Sequence, residues 1–142
     1  MEKIGIIDLG SNSARLVIVE LFGEGHFMVV DELKESVRLG QDMERDGFLK
    51  PQRLAETIKT LKMFKKLADA SVATAAVRRA KNQRSFLDEI QATCGIKVKV
   101  LSEEEEATLV YRGVINSMDI PKGVILEIGG GSTKIVYYNR RN

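Results

Sequence analysis

The sequence predicts an α/β fold in which helices pack on a mixed sheet, with elements in the order β-β-β-α-β-α-β-α. Three observations support this prediction. The chain opens with three β-branched apolar runs joined by tight turns, as expected for strands. Later segments alternate between short apolar runs and longer stretches with apolar residues at helical spacing. Hydrophobic residues make up 44% of the 142 residues, which is enough for a core at the length of about one domain.

The first three strands are predicted to form an antiparallel meander. Residues 3–9 are a β-branched run that ends at Gly10, and residues 13–21 follow almost at once. The turn Gly23–Gly25 leads to a third strand at residues 26–32. The second strand is apolar on both faces, which predicts that both faces are covered.

Two helices are predicted in the middle of the chain. Pro51 suits the first turn of a helix, and apolar residues recur at helical spacing from there to about residue 69. Asn82 is a candidate N-cap for a second helix, and Gly95 suits the position just after its C-terminus. A short β-prone run at residues 71–76 predicts a buried strand between these two helices.

The last part of the chain is predicted to contain three strands and one helix. Ser102 and Glu105 have the spacing of a capping box, so a helix is expected to begin there, and Pro121 is expected to end it. The strands are predicted at residues 96–101, 123–128 and 133–138.

Composition and charge narrow the class of protein. The net charge is +2, and acidic and basic residues are interspersed apart from the acidic run at residues 103–106, so no nucleic-acid polymer is expected as a partner. The single cysteine, Cys94, excludes an internal disulfide. No apolar run approaches the length of about 20 residues that a membrane span needs, and the N-terminal segment lacks a secretory pattern. We therefore expect a cytoplasmic protein with no membrane partner.

Two segments share one plan, in which an apolar strand ends at an acid that is followed by glycine and by hydroxyl or amide side chains. Residues 6–13 carry Asp8 as this acid, and residues 125–133 carry Glu127 followed by three consecutive glycines. Glycine lets successive backbone N–H groups surround phosphate oxygens, and a carboxylate at the strand end can hold Mg²⁺ or its waters. Each segment alone could also be a plain hairpin turn. Neither is a Walker loop, and a strand rather than a helix follows the glycines, unlike in a dinucleotide fingerprint.

The two segments resemble the phosphate loops of the actin-like superfamily. Thr74 and Arg78 resemble the ends of the Thr-x-x-x-Arg segment of the exopolyphosphatase/guanosine pentaphosphate phosphatase family. Residues 101–107 resemble that family's Ser-x-x-Glu-Glu-Ala segment, and all four segments occur in the family's order. The resemblance implies a ribonuclease-H-like/actin-like ATPase lobe over residues 1–119 and the opening hairpin of a truncated second lobe over residues 120–142.

The resemblance also implies roles for individual residues. Glu106 would activate the attacking water, and Arg78 would grip the terminal phosphate. Asp8 and Glu127 would lie near a divalent metal, which is expected to be Mg²⁺. The backbones of both loops would cradle phosphate, through Gly10, Ser11, Asn12, Ser13, Gly129, Gly130, Gly131, Ser132 and Thr133.

The residues themselves leave alternatives open for two of these roles. Four acids in the first turn of a helix are commonly explained by the helix dipole alone, although apolar neighbours of Glu106 one turn along could raise its pKa toward that of a general base. Arg79 could take the place of Arg78, since both offer the planar guanidinium that suits phosphate. On the resemblance, Arg78→Ala is expected to weaken polyphosphate binding more than Arg79→Ala.

The chain departs from the family's pattern at two positions. Glu103 stands where the family usually has glycine, which adds negative charge beside a site for a polyanion. Lys134 stands where the family usually has an acid that helps to bind metal. A lysine there would repel Mg²⁺ or replace its charge.

The function implied by the resemblance is phosphoanhydride hydrolysis, which releases terminal phosphate from polyphosphate or guanosine pentaphosphate. Two alternatives remain: an ATP-binding lobe of an actin-like kinase or ATPase, and a module that binds polyphosphate or nucleotide without turnover. The 142 residues alone are expected to fold but not to hydrolyse efficiently. The apolar strands within residues 123–138 are expected to pack back on the first lobe or to pair with a second copy, giving a homodimer.

Overall fold

The computed structural model describes residues 2–140. Its first three strands are β1 (Glu2–Leu9), β2 (Ser13–Phe22) and β3 (His26–Ser36). They pair antiparallel in chain order, so the predicted meander is confirmed. β3 extends past its predicted end, forms an edge of the sheet and is exposed along its length.

The rest of the described chain adds further helices and strands. The α-helices are α1 (Pro51–Phe64), α2 (Ala75–Arg79), α3 (Gln83–Cys94) and α4 (Glu103–Ser117). The strands are β4 (Ala70–Ala73), β5 (Lys99–Val100), β6 (Lys122–Ile128) and β7 (Thr133–Asn139). Short 3₁₀ turns lie at Gly23–Gly25, Met43–Arg45 and Lys65–Leu67.

The strands form one mixed sheet and one separate hairpin. β4 pairs in parallel with β1 and with β5, which completes a 5-stranded sheet in the order β3-β2-β1-β4-β5. β6 and β7 pair only with each other, antiparallel. The predicted mixed α/β architecture is therefore confirmed. The division at residue 119 stays a prediction, and the outermost residues of the two predicted units, 1, 141 and 142, lie outside the described residues.

The predicted strand at residues 71–76 is wrong in its second half. β4 ends at Ala73, and Ala75 and Ala76 begin α2 instead. Alanine has the highest helix propensity, and the Arg78 N–H donates to the Thr74 carbonyl at 2.9 Å, which closes the first turn of α2. A short run of small residues does not by itself distinguish a buried strand from a buried helix.

Other predicted boundaries also moved inward. The helix expected to reach about residue 69 ends as α1 at Phe64 and tightens into the 3₁₀ turn Lys65–Leu67. The strand predicted at residues 96–101 is reduced to β5. The last helix ends at Ser117, before Pro121. Helix ends commonly fray or tighten in this way, so boundaries are the least secure part of a periodicity argument.

Asn82 precedes α3 as predicted, but its side chain does not cap the helix. Its Oδ1 accepts a hydrogen bond from the Leu49 N–H at 2.9 Å, and its Nδ2 donates to the Leu49 carbonyl at 3.0 Å. The amide is thus directed at the backbone that leads into α1. At the other end of α3, Gly95 has a φ of 65°, which confirms the predicted glycine stop.

The core lies between one face of the sheet and helices α1 and α3. Ile7, Leu9 and Leu16 of the sheet are fully buried, as are Leu61 of α1 and Ile90 of α3. Coverage of the opposite face of β2 is only partial, because Arg15 and Val17 there are half-buried. The prediction that both faces of β2 are covered is therefore only partly right. Among residues 2–140, no helix combines the length and apolar composition that crossing a membrane requires.

Gly5 lies at the closest approach between the sheet and the segment after α1. Its N–H donates to Asp69 Oδ2 at 2.7 Å, and the Asp69 N–H donates back to the Gly5 carbonyl at 2.7 Å. A Cβ at Gly5 would overlap the carbonyl of Leu67. Only glycine fits this position without movement of the backbone.

Candidate active site

The two glycine loops predicted to bind phosphate meet in the folded chain. The first loop, residues 10–13, follows β1, and the second loop, residues 129–132, follows β6. Both are closed by the same hydrogen bond, from the N–H of the first glycine to the carbonyl of the serine three residues on (3.0 Å from Gly10 to Ser13 and 2.8 Å from Gly129 to Ser132). The two loops therefore have matching closures as well as a matching sequence plan.

Glycine is required in the second loop because the first loop packs directly against it. A Cβ at Gly130 would lie 3.3 Å from the Asn12 Cβ. A Cβ at Gly131 would collide with the Ser11 hydroxyl and would lie 3.3 Å from the Ala75 Cβ at the start of α2. The triple glycine thus lets two loops and a helix start converge.

A cavity of about 380 Å³ opens at this convergence. The predicted acids Asp8, Glu106 and Glu127 line it, together with Arg15 and Lys34. The predicted phosphate-binding residues that line it are Gly10, Ser11, Asn12, Ser13, Gly129, Gly130, Gly131 and Ser132. Thr133, the remaining one, begins β7 and lies outside the lining.

Glu106 is distinguished by its surroundings from the other acids in the first turn of α4. The predicted capping box is present, with 3.0 Å contacts between Ser102 and Glu105 in both directions, and it fixes where the helix begins. Glu105 is exposed, and its hydrogen bond to Lys99 lowers its pKa. The Glu106 side chain is only 12% exposed. Its Oε2 accepts a hydrogen bond from Arg78 Nη1 at 2.8 Å, and its Oε1 pairs with Lys134 Nζ at 2.7 Å.

Arg78 contacts Glu106 rather than the open cavity. Its Nη1 also donates to the Leu101 carbonyl at 2.7 Å, so the guanidinium is anchored to the backbone just before α4. Of the buried side-chain polar atoms in the described part of the chain, only Arg78 Nε and the Ser11 hydroxyl lack a hydrogen-bond partner. Both lie in residues of the convergent site, and buried polar groups normally find partners.

Lys134 bridges Glu106 and Glu127, two of the acids that line the cavity. Its Nζ lies 2.7 Å from Glu106 Oε1, 2.6 Å from Glu127 Oε2 and 3.1 Å from the Ser132 hydroxyl, and its side chain is 9% exposed. Burial acts to lower the Lys134 pKa, but the hydrogen bonds to Glu106 and Glu127 outweigh it and leave the pKa above its usual value. The bridge is therefore made by a charged ammonium.

Asp8 ends β1 and faces the same cavity. Burial raises its pKa, and the negative charges of Glu106 and Glu127 raise it further, while Arg15 and Lys134 oppose them. Within residues 2–140, no group of three or more His, Cys, Asp or Glu side chains is arranged to hold a metal ion. Because the ammonium of Lys134 occupies oxygens of both Glu106 and Glu127, the residues present do not fit the Mg²⁺ expected with Asp8 and Glu127.

A second, larger cavity of about 810 Å³ shares the loop residues and extends away from Glu106. Its walls carry the exposed side chains of Arg38 and Arg79. The Arg38 N–H donates to the Asn12 carbonyl and the Gly40 N–H to the Ser11 carbonyl, both at 2.7 Å. Arg38 has a φ of 47°, an uncommon backbone conformation for a residue other than glycine.

The arginine at position 38 was missed by sequence reasoning, which assigned no structure to the segment between β3 and Pro51. The available signal was weak: an arginine two residues before a glycine, after a strand. Arg38 lies at the wall of the larger cavity because this turn docks on the first loop. That contact joins residues far apart in the chain and leaves no local pattern.

The chain resembles phosphatases of known structure. A family model described as the Ppx/GppA phosphatase family matches residues 17–142. The Ppx/GppA phosphatase of Aquifex aeolicus, in its type II variant structure, is 33% identical with a TM-score of 0.84, covering 98% of this chain and 49% of that one. An exopolyphosphatase from Cytophaga hutchinsonii is 28% identical with a TM-score of 0.88, covering 99% of this chain and 48% of that one.

A curated relative has a longer chain. The bifunctional 3-dehydroquinate synthase/phosphatase of Fusobacterium nucleatum is 31% identical over 149 residues, which cover 94% of this chain and 22% of that protein. The chain therefore spans about half the length of the solved structures it matches and a smaller share of this relative.

Proposed function

The chain belongs to the Ppx/GppA phosphatase family, and on that premise we propose that it forms one wall of a site that releases terminal phosphate from a phosphate chain. The observation that carries the proposal is the position of Glu106. Its carboxylate borders a cavity formed by two convergent glycine loops and is held there by Arg78 and Lys134. A carboxylate in this position can orient a water molecule toward a phosphorus atom bound by the loops.

The bound phosphate would be held mainly by the backbone. Successive N–H groups of glycine loops form concave sites for anions, and the Ser11 hydroxyl is a buried donor without a partner among the described residues. Preorganised donors of this kind stabilise the charge that develops on the transferred phosphoryl group. Arg15 and Lys34 add positive charge at the cavity wall.

The rest of a long anion would extend into the larger cavity past Arg38 and Arg79. This cavity shares Ser11, Asn12, Gly130 and Gly131 with the smaller one, so a chain of linked phosphates could pass from one to the other. We therefore favour inorganic polyphosphate as the substrate. Guanosine pentaphosphate also offers a terminal phosphoanhydride and is the second candidate.

The direct test is phosphate release from polyphosphate, guanosine pentaphosphate and ATP, measured in parallel. The solved relatives are about twice as long, so we propose that this chain supplies one wall of the cleft and that turnover requires a second lobe like theirs. Release from polyphosphate above that from ATP supports the proposal. Preferential release from ATP would favour the ATPase alternative.

A non-catalytic binding module is a second candidate function, favoured by one observation. Both carboxylate oxygens of Glu106 are already engaged by cations, which leaves fewer of their lone pairs to accept from a water molecule. Tight binding of polyphosphate by the two-lobed protein, without phosphate release, would establish this alternative. The cytoplasmic location expected from the sequence stays a prediction.

We propose different roles for Arg78 and Arg79, which sequence reasoning left as alternatives. Arg78→Ala should mainly lower kcat, because it removes an anchor of Glu106. Arg79→Ala should mainly weaken affinity, by about tenfold, because it removes a charge from the wall of the larger cavity. Steady-state kinetics with polyphosphate, with KM and kcat separated, measure both effects.

Arg84→Ala is a matched control for the two arginine variants. Its side chain is 96% exposed on α3, and it lines neither of the two cavities, so both kinetic constants should stay unchanged. If Arg78→Ala weakens affinity more than Arg79→Ala, as the family resemblance alone suggests, then Arg78 is a phosphate ligand and its assignment as an anchor is wrong.

Self-association of the 142-residue chain is expected from the exposed face of the β6–β7 hairpin. One face packs back on α4, where the rings of Tyr138 and Tyr111 are 5.4 Å apart, in line with one of the predicted outcomes for this hairpin. The opposite face is 60–76% exposed at its apolar positions, which are Val124, Leu126, Ile128, Ile135 and Tyr137. Such a patch favours burial against a second copy.

Light scattering over a range of concentrations tests this prediction. We propose a symmetric dimer in which the exposed hairpin faces meet. Leu126→Lys, which places a charge in the centre of the patch, should shift the equilibrium to monomer. A monomeric parent chain at high concentration would contradict the prediction, as would a dimer that Leu126→Lys leaves intact.

A further inference from the structure

We propose that the ammonium of Lys134 is a built-in cation that takes the place of a divalent metal at this site, so that phosphate chains bind here without Mg²⁺. The inference rests on the proposed function for the identity of the ligand. It concerns a different property of the site, namely which cation balances the charge of its acids. It makes this chain a phosphate-binding member of its family whose affinity does not depend on metal.

The contacts of the ammonium carry the inference. A lysine has three N–H donors, and Lys134 Nζ has three partners at 2.6–3.1 Å: Glu127, Glu106 and the Ser132 hydroxyl. Its donors are therefore fully used, and it contacts both acids that border the cavity. A divalent ion bound by the same oxygens would need them at about 2.0–2.1 Å for Mg²⁺, which requires the ammonium to leave.

The position of Lys134 is fixed by backbone pairing. Glu127 and Lys134 are direct cross-strand partners in the β6–β7 register, so their side chains leave the same face of the hairpin. That face is held against α4 by the contact between Tyr138 and Tyr111. Gly130 and Gly131, in the loop that joins the two strands, pack directly on the first loop. Lys134 Nζ can leave the two carboxylates only if the lysine side chain adopts another rotamer.

The charge balance of the cavity is consistent with this role. Three carboxylates, Asp8, Glu106 and Glu127, line the cavity, and a polyanion would be repelled by them without compensating positive charge. Lys134 pairs with two of these carboxylates. If position 134 carried an acid, the positive charge that Lys134 supplies to these two carboxylates would have to come from bound cations.

Metal dependence can be measured on the 142-residue chain with tripolyphosphate as the probe. The variants are Lys134→Glu, which supplies an additional acid, and Lys134→Met, which removes the charge without adding a metal ligand. Lys122→Glu, on the exposed end of β6, makes the same charge change away from the cavity. Because tripolyphosphate itself binds Mg²⁺, Lys122→Glu also sets the baseline for effects that arise from the ligand.

Calorimetric titrations in EDTA and in Mg²⁺ give the first readout. The parent chain and Lys122→Glu should bind tripolyphosphate with affinities that differ by less than about twofold between the two conditions. Lys134→Glu should bind at least about tenfold more tightly in Mg²⁺ than in EDTA. Lys134→Met should bind more weakly than the parent in EDTA. A parent chain that binds tripolyphosphate at least about tenfold more tightly in Mg²⁺ than in EDTA would overturn the inference and leave the proposed function standing.

Direct binding of Mn²⁺, followed by electron paramagnetic resonance without any anion, gives a readout independent of the proposed function. Lys134→Glu should bind one Mn²⁺ that the parent does not bind, and thermal denaturation should confirm that both proteins are folded. Mn²⁺ binding by the parent that is lost in Glu127→Gln would overturn the inference. Absence of tripolyphosphate binding in every condition would show that this wall alone does not hold a phosphate chain, whereas the Mn²⁺ result would still decide the role of Lys134.

Discussion

Replacement of Glu106 by glutamine is expected to lower the turnover of polyphosphate by about 10²-fold or more. Glutamine keeps the size of the side chain but cannot accept a proton from the attacking water. Binding of polyphosphate should be unchanged or tighter, because a negative charge facing a polyanion is removed. Phosphate release by the two-lobed protein and calorimetric binding by the same sample separate these effects.

Glu104→Gln is the matched control for this substitution. Glu104 lies in the same first turn of α4 and is exposed, so its loss should change turnover by less than about twofold. Equal activity of Glu106→Gln and Glu104→Gln would reject Glu106 as the base. The neighbouring acids Glu103 and Glu105 would then be tested in the same way.

Replacement of Gly5 by alanine is expected to cost about 3 kcal/mol of unfolding free energy. The new Cβ would overlap the Leu67 carbonyl, and overpacking against backbone cannot be relieved by rotating a side chain. Moving the segment away would also break the two 2.7 Å hydrogen bonds between Gly5 and Asp69. Urea denaturation measures the change, with the midpoint expected to fall at an unchanged slope.

Gly113→Ala is the opposite case and serves as the control. Gly113 lies inside α4, and a Cβ there would meet nothing within 4 Å. Alanine should therefore stabilise the chain by roughly 0.5–1 kcal/mol, through the helix propensity that glycine lacks. If Gly5→Ala were as stable as Gly113→Ala, the close approach of β1 and Leu67 would be wrong.

Local patterns were sufficient to predict the features that depend on a few neighbouring residues. The capping box of Ser102 and Glu105 and the glycine stop at Gly95 follow from backbone geometry within one or two turns, and both are present. The resemblance of the two glycine loops and of the segments around Arg78 and Glu106 to a phosphatase family predicted the fold, and the similarity to known phosphatases confirms it. The site roles that the resemblance implies stay predictions.

The features that the sequence could not predict depend on contacts between segments that are distant along the chain. Apart from the family resemblance, the residues gave little reason to prefer Glu106 over the three acids before it, because its contacts with Arg78 and Lys134 distinguish it only in the folded chain. The turn at Arg38 is likewise defined by its docking on the first loop. The predicted strand at residues 71–76 failed for another reason, since a run of alanines is compatible with either type of element.

The hairpin β6–β7 shares no backbone ladder with the 5-stranded sheet, and this has a mechanical consequence. Its orientation is set where side chains and loops meet: the bridge from Lys134 to Glu106, the glycines against Ser11 and Asn12, and the tyrosine pair. Two of these three attachments border the cavity. An anion bound in this cavity would therefore contact the same groups that hold the hairpin against the rest of the described chain.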